Sequence, residues 1–212
     1  MDREVEAVLA GYDQRAAVEL ALMQELTPEE MLRRVDEFLI PIGPDAGRLL
    51  NLIIRSSQAR TILELGTSYG YSTIFFAEAA RACQGKVISV DINADKQRYA
   101  NEHLTAAGLD SFVEFVTGDA REVVASLPGP FDFVLIDLWK DLYVPCFDLV
   151  HPKLSEGAFV AADNILHPEF FRAEMTAYRQ HVQRQAGFES ILLPVGNGIE
   201  LSRYTGNTAQ ID

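Results

Sequence analysis

A run of polar residues follows a strand-like segment in the middle of the chain. Residues 131–143 read FDFVLIDLWKDLY, so an apolar stretch leads directly into Asp137, Trp139 and Lys140. Ligands of open α/β sheets bind outside the carboxyl ends of the strands, and a carboxylate beside an ammonium group there indicates a site. A helix start capped by Asp141, with Lys140 in solvent, is an alternative explanation of the same residues.

A second polar pair, Asp163 and Asn164, follows the strand-like segment 158–162. If that strand lies beside the one ending at Asp137, the three side chains meet at the carboxyl edge of the sheet. Oxygen ligands of this type suit a hard cation such as Mg²⁺ and not zinc or copper. Carboxylates so close together repel each other without a metal, so the pattern favours a metal site.

A glycine-containing loop, ILELGTSYGYST at residues 62–73, joins the first predicted strand to the next helix. Gly66 and Gly70 permit a tight turn and a close approach to a ligand, and Ser72 lies where an anion can bind a helix N-terminus. The spacing is GxxxG and not GxGxxG, and no P-loop lysine follows. The loop therefore predicts neither a dinucleotide site nor a P-loop.

Carboxylates at the ends of the first predicted strands describe the ligand of this loop. Glu64 suits an ammonium group, Asp91 suits ribose hydroxyls, and Asp119 follows the third strand. An amine-bearing and carboxylate-bearing nucleoside fits these groups. S-adenosylmethionine is the common molecule of that kind, although an ordinary tight turn also accounts for the two glycines alone.

A parallel sheet is needed to position these residues, and the order of apolar and helical segments along the chain predicts one. From residue 61, short apolar segments alternate with helical ones, which indicates βαβ units. Only Val195, Gly196, Asn197 and Gly198 separate the last two strands, which is typical of a hairpin. The predicted strands are 61–65, 87–91, 113–116, 132–137, 158–162, 190–194 and 199–204, and the predicted helices between them are 72–83, 94–107, 121–126 and 142–151.

The N-terminal part of the chain reads as helix. Residues 1–24 and 45–56 show helical periodicity, and Thr27 with Pro28 and Glu30 forms a capping box that starts a helix ending near Leu39. We predict a single domain over residues 1–212, in which residues 1–57 form a helical region that covers the site and residues 58–206 form the core.

The composition excludes several functional classes. The chain of 212 residues has a formal net charge of −13, which disfavours nucleic acid and anionic membranes as partners. No apolar run is long enough for a membrane span and the N-terminus lacks a signal pattern, so a cytoplasmic location is expected. Cys83 and Cys146 have no CxxC context, which supports neither a disulfide framework nor a zinc site.

The segments ELGTSYGYS, DLWKDLY, ADN and NGIELSRY together resemble a known family. It comprises the cation-dependent, S-adenosylmethionine-dependent O-methyltransferases of the catechol and caffeoyl-CoA type, and the likeness is greatest to the catechol branch. The resemblance runs from about residue 41 to residue 204. It implies a Rossmann-like class I methyltransferase fold, which is α/β, with a seven-stranded mostly parallel sheet, an antiparallel last strand and helices on both faces.

The resemblance also implies residue roles. Lys140 is the implied general base, Glu200 the implied holder of the second hydroxyl of a catechol, and the acceptor is a small aromatic vicinal diol. The implied ligands of Mg²⁺ or a similar cation are Asp137, Asp163 and Asn164. The implied cofactor contacts are Ile42, Glu64, Gly66, Thr67, Ser72, Asp91, Asp119, Ala120 and Asp137, and the implied acceptor contacts are Trp139, Lys140, Asn164, Pro168 and Glu200.

Three departures from the family pattern bear on these implications. Ser68 replaces a tyrosine common in the glycine loop, and Leu138 stands where the catechol enzymes have histidine. Both put the detailed cofactor contacts in doubt. The first forty residues match only in being helical, which leaves substrate access and a homodimer open.

Other functions remain as alternatives. A catalytically silent S-adenosylmethionine-binding protein would not need Lys140 and the implied metal ligands. A related enzyme acting on a hydroxycinnamoyl-CoA or a hydroxylated tRNA base would bind phosphates, which this acidic chain does not favour. A nicotinamide dehydrogenase is the weakest alternative, because the glycine spacing differs.

Overall fold

Three helices precede the sheet in the computed structural model, which describes residues 1–206 apart from the side chains of Pro28 and Leu32. They are α1 (Arg3–Gln24), α2 (Pro28–Arg34) and α3 (Pro44–Ser56). The capping box forms at Thr27, but α2 ends before the predicted end at Leu39 and a 3₁₀ turn, Val35–Glu37, follows. The N–H of Leu39 donates to the Glu19 carboxylate at 2.6 Å, and so it is not part of the helix.

The rest of the chain alternates between strands and helices, as the sequence predicts. The strands are β1 (Thr61–Leu65), β2 (Lys86–Asp91), β3 (Val113–Thr117), β4 (Phe131–Ile136), β5 (Leu154–Ala162), β6 (Phe188–Leu193) and β7 (Ile199–Tyr204). The helices between them are α4 (Tyr71–Cys83), α5 (Ala94–Ala106), α6 (Ala120–Ser126), α7 (Tyr143–Val150) and α8 (Arg172–Gln183).

One seven-stranded sheet has the order β3-β2-β1-β4-β5-β7-β6. The strands β1 to β5 pair in parallel, whereas β7 runs antiparallel to both β5 and β6. The prediction of a mostly parallel sheet that ends in an antiparallel hairpin is confirmed. The short turn between β6 and β7 forces this direction, because a parallel return needs a longer crossover.

Helices cover both faces of the sheet, which is confirmed by two separate apolar clusters. Alternate residues of β4 point to opposite faces, so Phe133 and Leu135 enter one cluster and Val134 and Ile136 the other. The first cluster is filled from α1, α3, α4 and α5, and the second from α6, α7 and α8.

Helix α8 is the element that the sequence analysis missed. Its sequence, RAEMTAYRQHVQ, is mostly polar, but Met175, Tyr178 and Val182 are buried and recur at spacings of three and four. That periodicity is the signal that could have identified an amphipathic helix. Strand β5 also begins at Leu154, earlier than predicted, because Leu154 pairs with Phe131 at the start of β4.

Within residues 1–206, no helix has both the length and the apolar character to cross a membrane. The division into a helical region at residues 1–57 and a core at residues 58–206 stays a prediction. Residues 207–212 of the predicted domain lie outside the described residues.

Candidate active site

The centre of the sheet brings the glycine loop against the polar end of β4. Strands β1 and β4 are neighbours, and the chain turns to opposite sides after them, which is where α/β sheets form ligand crevices. The N–H of Asp137 donates to the carbonyl of Leu65 at 2.9 Å. Gly66 has φ +105°, and a Cβ there would collide with the carbonyl oxygen of Asp137. Glycine is therefore required for this close approach.

Lys140 points into the protein and not into solvent. Its Nζ donates to Asn164 Oδ1 at 2.7 Å, to the Tyr143 hydroxyl at 2.6 Å and to the carbonyl of Leu138 at 3.0 Å. Only 8% of its side chain is exposed. Burial lowers the pKa of Lys140, while the carboxylates of Asp137 and Asp163 oppose that shift. The alternative of a solvated lysine is wrong.

The alternative of a helix start capped by Asp141 is also wrong. The segment after β4 forms a 3₁₀ turn, Lys140–Leu142, which leads into α7. Neither the 3₁₀ turn nor α7 has a side-chain hydrogen bond at its N-cap. The polar residues of this segment are therefore not explained by capping.

Two carboxylates lie beside the lysine. Asp163 follows β5, where Ala162 pairs with Ile136 of β4, and it is 2% exposed. Burial, together with the nearby charge of Asp137, raises the pKa of Asp163 to about 8. Burial also raises the pKa of Asp137, whose Oδ1 lies 3.8 Å from Lys140 Nζ and is partly stabilised by it. One buried acid and one partly buried acid thus lie near a single ammonium group.

The donor set fits a hard cation. Asp163 Oδ1 is buried and has no hydrogen-bond partner among the described residues. The carboxylates of Asp137 and Asp163 and the amide oxygen of Asn164 all converge on Lys140, and they supply oxygen alone. In residues 1–206 no cluster of three or more His, Cys, Asp or Glu side chains has metal-binding geometry, so the set depends on the amide of Asn164.

Glu64 faces the interior of the protein behind the glycine loop. Its carboxylate accepts hydrogen bonds from the hydroxyls of Ser72 (2.6 Å), Thr73 (2.6 Å) and Ser89 (2.5 Å). Thr67 is buried and its hydroxyl lies 2.6 Å from that of Ser89. Burial raises the pKa of Glu64 to about 7, although the three hydrogen bonds lower it. Glu64 therefore fixes the first turn of α4 relative to β1 and β2.

The first turn of α4 follows directly on the glycine loop. Gly70 precedes the helix with φ +87° and supplies no side-chain cap. The N–H groups of Tyr71, Ser72 and Thr73 have no partner within the helix, because they belong to its first turn. N–H groups of this kind at a helix N-terminus can bind an anion.

The two predicted carboxylates beyond the loop are held by the backbone. Asp91 Oδ2 accepts from the N–H of Ser68 at 2.7 Å, and its Oδ1 accepts from the N–H of Asn93 at 2.8 Å. Asp119 caps α6 and pairs with Arg121, which holds the pKa of Asp119 at about 2. Asp91 and Asp119 are only partly buried, whereas Ala120, the first residue of α6, is buried.

Two of the implied acceptor contacts, Trp139 and Pro168, lie at the surface. Trp139 is 51% exposed, and Pro168, which follows a cis peptide bond, is also exposed. Ile42 is buried in the segment between α2 and α3, and a Cβ at Gly196 would contact its carbonyl. A Cβ at Gly198 would contact Leu166, so the β6–β7 turn packs against both segments.

The implied role of Glu200 as an acceptor contact stays a prediction, and the structure shows how its carboxylate is held. It is fully buried on β7, where Arg179 Nε donates to Oε2 at 2.7 Å and Gln183 Nε2 donates to Oε1 at 3.4 Å. Both of its oxygens are bound by side chains of α8, and none of its surface is open to a substrate in this structure.

Comparison with known proteins places this geometry in a family. A family described as O-methyltransferase matches residues 13–205. The chain belongs to the O-methyltransferase family. The predicted family and the predicted enzyme class of O-methyltransferase are thereby confirmed.

Individual relatives of this O-methyltransferase agree. The chain is 34% identical over 131 residues to a catechol O-methyltransferase of Niastella koreensis, and the match covers 60% of this chain and 59% of the relative. It is 31% identical over 167 residues to one of Mycobacterium tuberculosis, covering 78% and 71%. The match thus spans less than two thirds of the length of the first relative and slightly more than two thirds of the length of the second.

A solved structure extends the likeness to the fold. The O-methyltransferase TomG of Streptomyces achromogenes, involved in tomaymycin synthesis and solved with SAM, is 25% identical to this chain. The TM-score is 0.70, and the match covers 92% of this chain and 98% of that one. The confirmed sheet topology of this O-methyltransferase is therefore shared over nearly its whole described length.

Sequence reasoning missed two side chains of the site. Tyr143 lies within the DLWKDLY segment, but nothing in its spacing showed that its hydroxyl contacts Lys140. Arg179 was missed together with its helix, α8. Its ion pair with Glu200 joins α8 to β7, and it could be predicted only once the position of α8 against the sheet was known.

Proposed function

We propose that this O-methyltransferase transfers a methyl group from S-adenosylmethionine to one hydroxyl of an aromatic vicinal diol, with a divalent cation such as Mg²⁺. One observation carries the proposal. The ammonium group of Lys140 is buried among the oxygens of Asp137, Asp163 and Asn164, next to the glycine loop. This arrangement supports a proton acceptor and a cation site that would act side by side.

The glycine loop and α4 support the proposed cofactor. S-adenosylmethionine supplies the electrophilic methyl group. The free N–H groups at the start of α4 suit its carboxylate, because helix N-termini attract anions. Each oxygen of Asp91 accepts one backbone N–H and keeps a lone pair for a ribose hydroxyl. The backbone of Asp137 lies against Gly66, so its carboxylate starts from the edge of the glycine loop and would attract the positive end of the ligand.

The three oxygen-bearing side chains support the proposed cation. Asp137, Asp163 and Asn164 would hold it through their carboxylate and amide oxygens. A bound divalent cation lowers the pKa of an oxygen acid beside it. The unpartnered Oδ1 of Asp163 is the strongest support, because a buried carboxylate oxygen without a donor is costly.

Lys140 would remove the proton from the acceptor hydroxyl. As an ammonium group, Lys140 donates hydrogen bonds to three acceptors. The neutral amine has only two N–H groups, so it keeps two of these bonds and its lone pair points elsewhere. Burial favours that neutral form, because the lower pKa moves the lysine toward physiological pH. Tyr143 and Asn164 fix the position of Nζ, and positioning of this kind contributes much of the rate.

The surroundings of the site favour a small aromatic acceptor. Trp139 offers an exposed ring beside Lys140, and Pro168 follows the Asp163-Asn164 turn. Both arginines of α8 are paired with carboxylates, Arg172 with Glu169 and Arg179 with Glu200. The charge of Arg179 is engaged by the buried carboxylate of Glu200, so it does not serve the phosphates of a coenzyme A thioester or a tRNA.

A pair of isomeric diols tests the substrate class. The chain is incubated with labelled S-adenosylmethionine and Mg²⁺, and with either catechol or resorcinol, which differ only in the spacing of two hydroxyls. We expect methylation of catechol and little or none of resorcinol. Equal turnover of both isomers would contradict a site built for adjacent hydroxyls, and turnover of neither would contradict the diol class.

A further inference from the structure

Helix α1 makes direct contact with the backbone of the glycine loop. The hydroxyl of Tyr12 donates to the carbonyl oxygen of Tyr69 at 2.6 Å, and Tyr12 is only 1% exposed. A Cβ at Gly70 would lie 3.5 Å from the same hydroxyl. The loop residue that precedes α4 is therefore packed against a side chain of the first helix, more than fifty positions earlier in the chain.

Three further contacts join α1 to this loop. The guanidinium carbon of Arg15 lies 4.1 Å from the ring centroid of Tyr69, a cation–π geometry. The hydroxyl of Tyr71 donates to Asp13 Oδ1 at 2.8 Å. The rings of Tyr12 and Tyr71 meet edge to face, with centroids 5.7 Å apart. Both aromatic side chains of the loop, Tyr69 and Tyr71, are thus held by α1.

The same helix also holds a second segment that lines the proposed cofactor site. Arg15 Nε donates to Glu19 Oε1 at 2.6 Å, and the other oxygen of Glu19 accepts the N–H of Leu39 at 2.6 Å. Leu39 lies three residues before Ile42. The hydroxyl of Tyr69 donates in turn to the carbonyl of Asp36 at 2.9 Å, which closes the connection between the two segments.

The loop adopts a conformation that needs such support. Ser68 has φ +46°, in the left-handed region that non-glycine residues rarely occupy, and Gly70 has φ +87°. Strained backbone of this kind persists only where surrounding contacts fix it. Tyr69, which α1 contacts, lies between Ser68 and Gly70 in the chain.

We propose that α1 is a brace, formed by Tyr12, Arg15 and Glu19, that holds the glycine loop and residues 39–42 in the cofactor-binding conformation before the cofactor arrives. The inference rests on the proposed use of S-adenosylmethionine. A protein whose competent conformation is only partly populated binds its ligand more weakly in proportion to that fraction. The brace therefore acts on affinity for the cofactor and not on the chemical step.

Tyr12→Phe tests the brace, because it removes one hydroxyl and leaves the ring. We expect the dissociation constant for S-adenosylhomocysteine, measured by calorimetry on the full chain, to rise about 5- to 20-fold, since a buried carbonyl loses its donor. Arg15→Met keeps the length of the side chain and removes the cation, and we expect a rise of about threefold or more.

The matched control is Tyr178→Phe. The hydroxyl of Tyr178 is also buried, but it has no partner within the described part of the chain, and the ring of Tyr178 packs against Tyr143 of α7. We expect no change in affinity for S-adenosylhomocysteine in this variant. Amide hydrogen exchange on the free proteins gives a second measurement. Compared with the unaltered chain, Tyr12→Phe should exchange faster at residues 66–71 and at the same rate in α7.

The outcomes separate the brace from the proposed cofactor. If the unaltered chain binds S-adenosylhomocysteine and both brace variants bind it within twofold of that value, the brace is wrong. If the unaltered chain does not bind S-adenosylhomocysteine, the proposed cofactor is wrong. In that case hydrogen exchange decides alone, and unchanged exchange at residues 66–71 in Tyr12→Phe would overturn the brace as well.

Discussion

The Nζ of Lys140 lies 2.6 Å from the hydroxyl oxygen of Tyr143, which in turn donates to the backbone carbonyl of Asp163 at 3.0 Å. Tyr143 has no exposed surface, and burial raises its pKa well above the usual range, so the hydroxyl stays neutral. One hydroxyl therefore links the proposed general base to the strand end that carries two proposed cation ligands.

Tyr143→Phe should lower kcat by about tenfold, because Lys140 loses one of three acceptors that fix its position. The Michaelis constant for S-adenosylmethionine should stay within about twofold, since the hydrogen bonds of the Tyr143 hydroxyl go to Lys140 and to the carbonyl of Asp163. Steady-state kinetics with a catechol acceptor check this split, and Tyr178→Phe is the control. A rise in that Michaelis constant with normal kcat would show that Tyr143 does not position the lysine.

Lys140→Ala should lower turnover by about 10²- to 10⁴-fold, the range of general-base contributions. Affinity for S-adenosylhomocysteine should change much less. Lys140→Arg should fail to restore turnover, because a guanidinium group stays protonated and cannot accept the phenol proton. Near-normal turnover in Lys140→Ala would assign activation of the hydroxyl to other groups and remove the lysine from the proposed mechanism.

Chelation should abolish methyl transfer, and added Mg²⁺ should restore it, because the oxygen donor set fits a hard cation. Asp163→Asn keeps the shape of the side chain and removes its charge. We expect it to lose activity by more than the 10–100-fold typical of residues around a metal shell. Asp148→Asn is the control, since Asp148 pairs with His181 outside the site. Full activity in excess chelator would contradict the cation site.

The fold could be predicted because its determinants are local. Apolar segments of strand length, the capping box at Thr27 and the short β6–β7 turn each fix a neighbouring piece of backbone. The convergence of Asp137 and Asp163 followed from a general rule about parallel strand ends. Helix α8 escaped because tertiary packing, through Tyr178 and its neighbours, and not local hydrophobicity, makes it a helix.

The details of the site could not be predicted, because they depend on which partner a side chain meets. Glu64 reads as a ligand-facing carboxylate from its position at a strand end, yet three hydroxyls of its own protein surround it. The contact between Tyr12 and Tyr69 joins residues 57 positions apart. No pattern in a single sequence encodes a pairing of that range.

Glu64→Gln should change the pH dependence of stability. Burial raises the pKa of Glu64 from 4.5 to about 7, so the folded state keeps a proton that the unfolded state loses between these values. The free energy of unfolding should therefore fall as pH rises from 4.5 to 7, by up to about 3 kcal/mol, and level off above pH 7. Below pH 4.5 both states are protonated and this contribution is fully retained.

Denaturant unfolding of the unaltered chain and of Glu64→Gln, at several pH values, checks this. The difference in free energy of unfolding between the two proteins should follow the predicted fall, because glutamine does not titrate. A difference that stays constant from pH 4.5 to pH 7 would mean that the three hydroxyl donors fully compensate the burial of the charge.

The pair of Glu200 and Arg179 decides between a substrate contact and a structural role. Arg179→Met leaves a fully buried carboxylate without its partner and should lower the free energy of unfolding by about 3–5 kcal/mol. Arg172→Met is the control. It breaks only an exposed ion pair with Glu169, which contributes about 0–1 kcal/mol.

The double variant Arg179→Met with Glu200→Leu makes the decision. It replaces the buried ion pair with apolar groups, and such replacements are often neutral or stabilising, so most of the lost stability should return. If Glu200 only holds α8 against β7, the double variant should also recover turnover of catechol to within about tenfold of the unaltered chain, since no reacting group is missing. Stability without turnover would instead show that the carboxylate of Glu200 contacts the acceptor, and that α8 releases it when the acceptor binds.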